Sequence, residues 1–152
     1  MTALTDSSDK LAQRLALAIP AALLGGAYIS QYGFDLFPCE MCWWQRYPHF
    51  IALGLALLSF VAPPKKVWIG LAALAILVSG AIGAFHAGVE YKWWPGITGC
   101  TGAPDLTSFD VVRCDEAPWS LFGISLAGWN ALFSIGGAIA IWVLLLAKER
   151  RA

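Results

Sequence analysis

Four stretches from which charge almost disappears set the pattern of this chain. Residues 15–34 carry no charge, 42–62 carry only Arg46 and His49 near one end, and 67–89 and 120–147 carry no formal charge. A helix rising about 1.5 Å per residue crosses roughly 30 Å of hydrocarbon over such a length. Backbone groups in lipid find no water to bond, so each stretch is expected to be helical. The pattern predicts an all-α integral membrane protein: one domain over 1–152, a four-transmembrane-helix bundle with spans at 15–34, 42–62, 67–89 and 120–147. Lys10 and Arg14 precede the first apolar run as in a signal peptide, but the run is about twice a signal core and no clear cleavage site follows. The first span is therefore read as a retained helix.

The polar intervals differ in kind. The interval around 35–46 is short and stiffened by Pro38. The one around 90–118 is long and broken by Gly96, Gly99, Gly102 and Pro104, and long loops without structure of their own are commonly functional. Between the second and third spans lies the tight Pro63-Pro64-Lys65-Lys66 turn. Trp43, Trp44, Trp93, Trp94 and Trp119 crowd the outer boundary, as in an interfacial aromatic belt. Ser79 with Gly83, and Gly136 with Ala140, stand four apart and are expected to let helices approach closely.

Composition agrees with the pattern: 59% of the 152 residues are hydrophobic and 13% charged. The net formal charge is zero, which gives no basis for nucleic-acid binding. That zero hides an asymmetry. Lys10, Arg14, Lys65, Lys66, Lys148, Arg150 and Arg151 fall on one side of the predicted topology, and Arg46, Lys92 and Arg113 on the other. The positive-inside rule puts both termini and the Pro63-Pro64 turn in the cytoplasm. All four cysteines then lie outside it, where disulfides persist.

Cys39-Glu40-Met41-Cys42 opens the second span; Cys100 and Cys114 lie in the long loop on the same side. Structural staples would suit Cys100 and Cys114. They suit Cys39 and Cys42 poorly, because closing a loop with two intervening residues removes little chain entropy. A pair that stabilises so little reads as redox-active. The C-x2-C…C-x13-C spacing is not that of a zinc site, and no metal is expected. Cys42 sits near a helix N-terminus, where positive potential favours a thiolate. Provided the turn before Pro48 is helical, Arg46 at i+4 shares its face. A guanidinium there can stabilise a thiolate and bond the carbonyl oxygens of a quinone. Pro48 is expected either in the first helical turn or at a kink. His86, with Glu90 at i+4, reads as a proton-handling pair beside an acceptor or as an interfacial histidine bonded to a carboxylate. His49 carries less signal, and Asn130 reads as helix-to-helix glue.

These residues form motifs. Pro38-Cys39-Glu40-Met41-Cys42-Trp43-Trp44-Gln45-Arg46-Tyr47-Pro48 resembles the signature of the disulfide bond formation protein B (DsbB) family. Cys114-Asp115-Glu116-Ala117-Pro118-Trp119-Ser120-Leu121-Phe122-Gly123-Ile124-Ser125-Leu126-Ala127 and His86-Ala87-Gly88-Val89-Glu90 also fit it. The resemblance covers nearly the whole chain. It implies a multi-pass enzyme of the bacterial inner membrane, with cytoplasmic termini and two cysteine-bearing periplasmic loops. Such an enzyme reoxidises a soluble DsbA-like thiol oxidase and passes two electrons to a quinone, ubiquinone or menaquinone. By the same resemblance Cys39 and Cys42 are the quinone-proximal pair, and Cys100 and Cys114 the partner-facing pair, with Cys100 taking the mixed disulfide. Cys114 exchanges with Cys39, Cys42 contacts the quinone, and Arg46 helps bind it; His86, read above as lying beside the acceptor, is a further candidate for contact with the quinone. One departure is the stretch between Cys100 and Cys114, shorter than in the best-known members; it bears on any membrane-surface helix there and on the choice of soluble partner. Two other readings compete: a quinone-coupled thiol oxidase resembling vitamin K epoxide reductase, whose C-x-x-C usually lies late in the bundle, and a disulfide-stapled membrane scaffold without activity.

Overall fold

The computed structural model describes residues 7–100 and 112–147. The segment on which the short-loop departure falls, most of the interval between Cys100 and Cys114, lies outside the described residues, as does the basic tail after 147. Helix α1 spans Ser7–Gly33, α2 Glu40–Val61, α3 Lys65–Glu90 and α4 Leu126–Leu146. A small antiparallel hairpin, β1 (Ser120–Leu121) and β2 (Ile124–Ser125), precedes α4. Helices α1, α3 and α4 are long and apolar enough to cross a membrane. Helix α2 is not among them; its outer half holds Glu40, Gln45, Arg46, Pro48 and His49.

The helices extend beyond the apolar windows because polar side chains at their ends find partners. In α1 the buried face runs through Asp9, Ala12, Gln13, Ala16, Pro20 and Leu24, the three-to-four spacing of one helical stripe. Gln13 Nε2 donates to the Ser59 carbonyl at 2.9 Å, and Asp9 pairs with Lys66 at 3.3 Å. The hairpin divides what the sequence offers as one apolar run from 120 to 147. Phe122 and Gly123 both take positive φ, 53° and 78°, as a two-residue turn of type I′ requires. Ser125 then caps α4, its hydroxyl accepting from the Gly128 amide at 3.1 Å.

Helix α3 lies centrally, packed along both α2 and α4, while α1 closes the bundle against α4 and α2. The core away from the cysteines is built from Ala12, Ala16, Ala52, Ala56, Ala72, Ala73 and Ala138 with Ile69, Ile76 and Ile141. Small side chains let the helix axes approach closely. Ser79 and Gly83 are buried between helices, whereas Gly136 and Ala140 are exposed, and nothing among the described residues lies within 4 Å of a Cβ built at Gly136. Pro48 is not in the first turn: α2 already begins at Glu40, so Pro48 lies inside the helix, past its second turn.

Candidate active site

Because α2 starts at Glu40, the C-x-x-C motif is its N-cap and first turn. Cys39 is the cap residue, in extended backbone, and its sulfur accepts from the Cys42 amide at 3.3 Å. The two sulfurs stand 2.8 Å apart as free thiols, Cys39 buried and Cys42 half-buried. The hydrogen bond with Cys42, and burial after it, push the Cys39 thiol well above its ordinary pKa. Cys39 is thus held as the protonated member of the pair.

Cys100 and Cys114 form a disulfide with Cα atoms 5.4 Å apart, and the Cys114 amide donates to the Cys100 carbonyl at 3.0 Å. Cys114 is fully buried. Thr98 Oγ1 touches both sulfurs, at 2.9 Å from Cys100 and 3.6 Å from Cys114. The pairs meet at His86. Its Nε2 lies 3.6 Å from Cys39 Sγ and 3.1 Å from the Cys114 carbonyl oxygen. The sulfurs of Cys39 and Cys114 and a ring nitrogen of His86 all lie within 4.8 Å of one another. Such a trio has the spacing of a metal site, but the Cys114 sulfur is bonded to Cys100 and offers no thiolate. Glu90 Oε1, one turn along α3, is 3.8 Å from His86 Nε2 and equally buried.

The chain after α3 is tied down on both sides of the disulfide. Trp94 stacks on Phe85 with ring centroids 5.8 Å apart and donates from Nε1 to the Phe85 carbonyl. It therefore packs on α3 and is more than a member of a surface belt. Tyr91 Oη donates to the Gly123 carbonyl and accepts from the Ser125 amide, joining the end of α3 to the hairpin. Lys92 Nζ reaches both the carbonyl and the carboxylate of Asp115, and Arg113 grips the same carboxylate at 3.0 and 2.8 Å. The hydrogen bonds from Arg113 and then Lys92 hold the Asp115 carboxyl well below the usual carboxylate range.

Arg46 lies one turn below Cys42 on the same face of α2. It is only 6% exposed, so it does not snorkel to the surface. Its guanidinium donates to Gln31 Oε1 at 2.7 Å and to the Ala27 carbonyl at 3.2 Å. It lies over the rings of Tyr28 and Trp43, 4.8 Å from each centroid. A cavity of about 220 Å³ opens beside it, walled by residues of all four helices. Its polar lining is Cys42, Gln45, Arg46, His49, His86, Glu90, Asn130 and Ser30; the rest includes Leu24, Phe37 and Phe133. Apolar walls with a few convergent polar groups and a sulfur at the rim describe a small-molecule site.

Sequence reading did not single out Gln45, which is central. Gln45 Nε2 donates to His86 Nδ1 at 2.9 Å, and Gln45 Oε1 accepts from Asn130 Nδ2 at 2.9 Å. Asn130 Oδ1 lies 2.9 Å from His49 Nε2. Tyr28 and Gln31 were equally silent, since their partner Arg46 lies on another helix. The position of Gln45 next to Arg46, with an amide at a level read as apolar, was the signal available.

A family model described as Disulfide bond formation protein DsbB matches residues 9–144. Similar proteins called Disulfide bond formation protein B occur in several bacteria. That of Verminephrobacter eiseniae is 33% identical over 150 residues, covering 86% of this chain and 82% of its own length. That of Marinobacter nauticus is 28% identical over 151 residues, covering 86% and 89%. That of Shewanella frigidimarina is 31% identical over 142 residues, covering 79% of each. No solved structure matches the chain.

Proposed function

The chain belongs to the DsbB family of disulfide bond formation proteins, and from that premise we propose that it is a four-span enzyme of the bacterial inner membrane that takes two electrons from a soluble DsbA-like dithiol and passes them to a membrane quinone. Family membership makes it a membrane disulfide oxidoreductase; the partner, the acceptor and the residue roles are our reading. The observation that carries it is the meeting of the two cysteine pairs at His86, directly beside the cavity bounded by Cys42 and Arg46.

In this reading a thiolate of the reduced partner attacks Cys100, forming a mixed disulfide and releasing Cys114. The second partner thiol resolves that bond, leaving the partner oxidised and Cys100 and Cys114 reduced. Cys114 then attacks Cys39 of an oxidised first pair and releases Cys42 as the leaving thiolate. Attack by Cys100 on Cys114 regenerates the second disulfide and leaves Cys39 and Cys42 as a dithiol. The arrangement described above, with the second pair bonded and the first pair free, corresponds to that last stage. Attack and leaving-group rates follow thiolate character and access. A high Cys39 pKa together with a Cys42 sulfur at the helix N-terminus assigns Cys42 the thiolate role facing the cavity.

The residues present fit a quinone. The cavity accommodates a single substituted ring, its walls are mostly apolar, and Arg46 presents donors only, matched to carbonyl oxygens. When bound, a quinone supplies an acceptor for two electrons and two protons. Arg46 would hold the ring; the bonds to Gln31 and Ala27 fix its position, and the five guanidinium donors exceed what those two bonds use. Gln45 orients His86 by occupying Nδ1, so the Nε2 proton points toward Cys39 and the Cys114 carbonyl.

Cys100→Ser tests the series arrangement. Purified variant should fail to oxidise the soluble dithiol partner, while added short-chain quinone still converts its Cys39–Cys42 dithiol to the disulfide, read by alkylation and mass spectrometry. Loss of quinone reactivity in this variant would refute the assignment of separate tasks to the two pairs.

A further inference from the structure

His49 is 3% exposed, lies on α2 one turn deeper than Arg46, and lines the same cavity. One ring nitrogen is committed. Nε2 faces Asn130 Oδ1, which is an acceptor because Asn130 Nδ2 donates to Gln45 Oε1, to the Ser79 carbonyl and to Ser79 Oγ. Ser134 Oγ donates to the same Oδ1 at 3.1 Å. The Asn130 amide is therefore locked in orientation, and His49 must carry its proton on Nε2. In the neutral ring Nδ1 is then a bare acceptor. It is buried and has no hydrogen-bond partner among the described residues.

A buried polar atom with no partner costs free energy unless a ligand supplies one. The partner must be a donor. A quinone carbonyl cannot serve; the hydroxyl of its reduced form can. Arg46 and His49 lie three residues apart on α2, neighbours on one helix face, and both line the cavity, so a single ring can face both. Resting on the quinone reading above, we propose that His49 Nδ1 is the acceptor for a hydroxyl of the hydroquinone. The cavity then combines a donor suited to the oxidised acceptor with an acceptor suited to the reduced one. The stoichiometry is closed by the dithiol: Cys39 and Cys42 lose two electrons and two protons in forming their disulfide, and the quinone gains both to become the hydroquinone. Tighter binding of the reduced form favours transfer in that direction.

The test is equilibrium binding to full-length protein in lipid nanodiscs under anaerobic conditions. A short-chain ubiquinone is titrated onto oxidised protein and its hydroquinone onto reduced protein, combinations in which no electrons move. His49→Gln keeps a donor near the Nε2 position for Asn130 and removes the acceptor at Nδ1. It should weaken hydroquinone binding roughly 5- to 15-fold and change quinone binding less than about twofold. His49→Asn places an amide oxygen near the Nδ1 position while giving up the bond to Asn130, and should retain most hydroquinone affinity; a correctly folded His49→Asn protein therefore separates the ligand contact from the internal one. Equal weakening of both forms in His49→Gln, or no weakening of either, would overturn the assignment. Failure of the unsubstituted protein to bind either form would instead remove the quinone reading on which it stands.

Discussion

Gly83→Ala puts one methyl group where the functional site and the helix packing share a boundary. A Cβ at that position would stand 2.9 Å from the Ala127 carbonyl oxygen, 2.9 Å from Asn130 Nδ2 and 3.1 Å from Gln45 Oε1. The first is backbone of α4, and the other two are the atoms of the Asn130–Gln45 hydrogen bond. None can give way cheaply. Overpacking a close-fitting interior costs about 1–3 kcal/mol, and a lost interhelical hydrogen bond in a membrane about 0.6–1.7 kcal/mol. The expected destabilisation is about 2–4 kcal/mol, which means a folded-to-unfolded ratio reduced by at least about thirtyfold. Gly136→Ala is the matched control, because nothing lies within 4 Å of a Cβ built there; its expected change is within about 0.5 kcal/mol. Folded fraction against the mole fraction of sodium dodecyl sulfate in mixed micelles, read by circular dichroism, measures both. Gly83→Ala protein that does fold should also show slower quinone-dependent oxidation of Cys39 and Cys42, since Gln45 no longer fixes His86. Similar stability for the two variants would refute the packing argument and the orienting role given to Gln45 with it.

Arg46→Lys keeps the charge but loses the planar fork that reaches Gln31 and Ala27 together, so apparent quinone affinity should fall about tenfold or more, with partner thiol exchange near normal; unchanged quinone dependence in steady-state assays would reduce Arg46 to a structural residue. Membrane-impermeant maleimide applied to intact cells after reduction should label Cys42, the half-buried thiol of the first pair, and labelling of Cys42 only after the inner membrane is broken would reverse the topology. Asp115→Asn weakens the clamp between Lys92 and Arg113, so dithiothreitol should reduce the Cys100–Cys114 disulfide faster than in the unsubstituted protein. The folded carboxyl titrates below its unfolded value, so the clamp is fully present above the ordinary carboxylate range and lost only as pH falls through the depressed folded value. The reduction rate of unsubstituted protein should therefore show no step from this group between neutral pH and about pH 5, and a step there would exclude the clamp.

The helices were legible where apolarity alone decides them, and their ends were not. Helix α1 begins at Ser7 rather than at residue 15, because Asp9 and Gln13 find Lys66 and the Ser59 carbonyl on other elements. The hairpin at 120–125 hid inside an apolar stretch; only Gly123 marked it. The candidate cysteines could be singled out because their information is local: a C-x-x-C at a helix start needs no tertiary contact to be noticed. That Cys39 rather than Cys42 faces Cys114 came from the family resemblance, and no spacing within the chain specifies it. The small-residue pairs show the limit most clearly. Ser79–Gly83 and Gly136–Ala140 have the same spacing, yet one pair is buried in the packing of α3 against its neighbours and the other is exposed. Hydrophobic periodicity could not separate them, because helices facing both lipid and protein are apolar all round. His49 and Asn130, 81 positions apart, were each weak signals alone and acquire meaning only as a bonded pair.

The role of α1 follows from where its contacts fall. At one end Asp9 and Gln13 hold it to the α2–α3 turn region through Lys66 and Ser59. At the other, Ala27 and Gln31 receive both bonds of Arg46, and Tyr28 lies against its guanidinium. Leu24 and Ser30 of α1 also wall the cavity. Without α1 the Arg46 charge would lose those partners, and a buried charge stripped of its hydrogen bonds is strongly unfavourable. The cavity would lose a side as well. An apolar first helix that only anchored the chain would need neither Gln31 nor Tyr28 on the face it turns to α2. Their presence there makes α1 part of the cavity wall, and a displacement of α1 by even a fraction of a helical turn would shift the Arg46 guanidinium that it holds relative to the Cys42 sulfur.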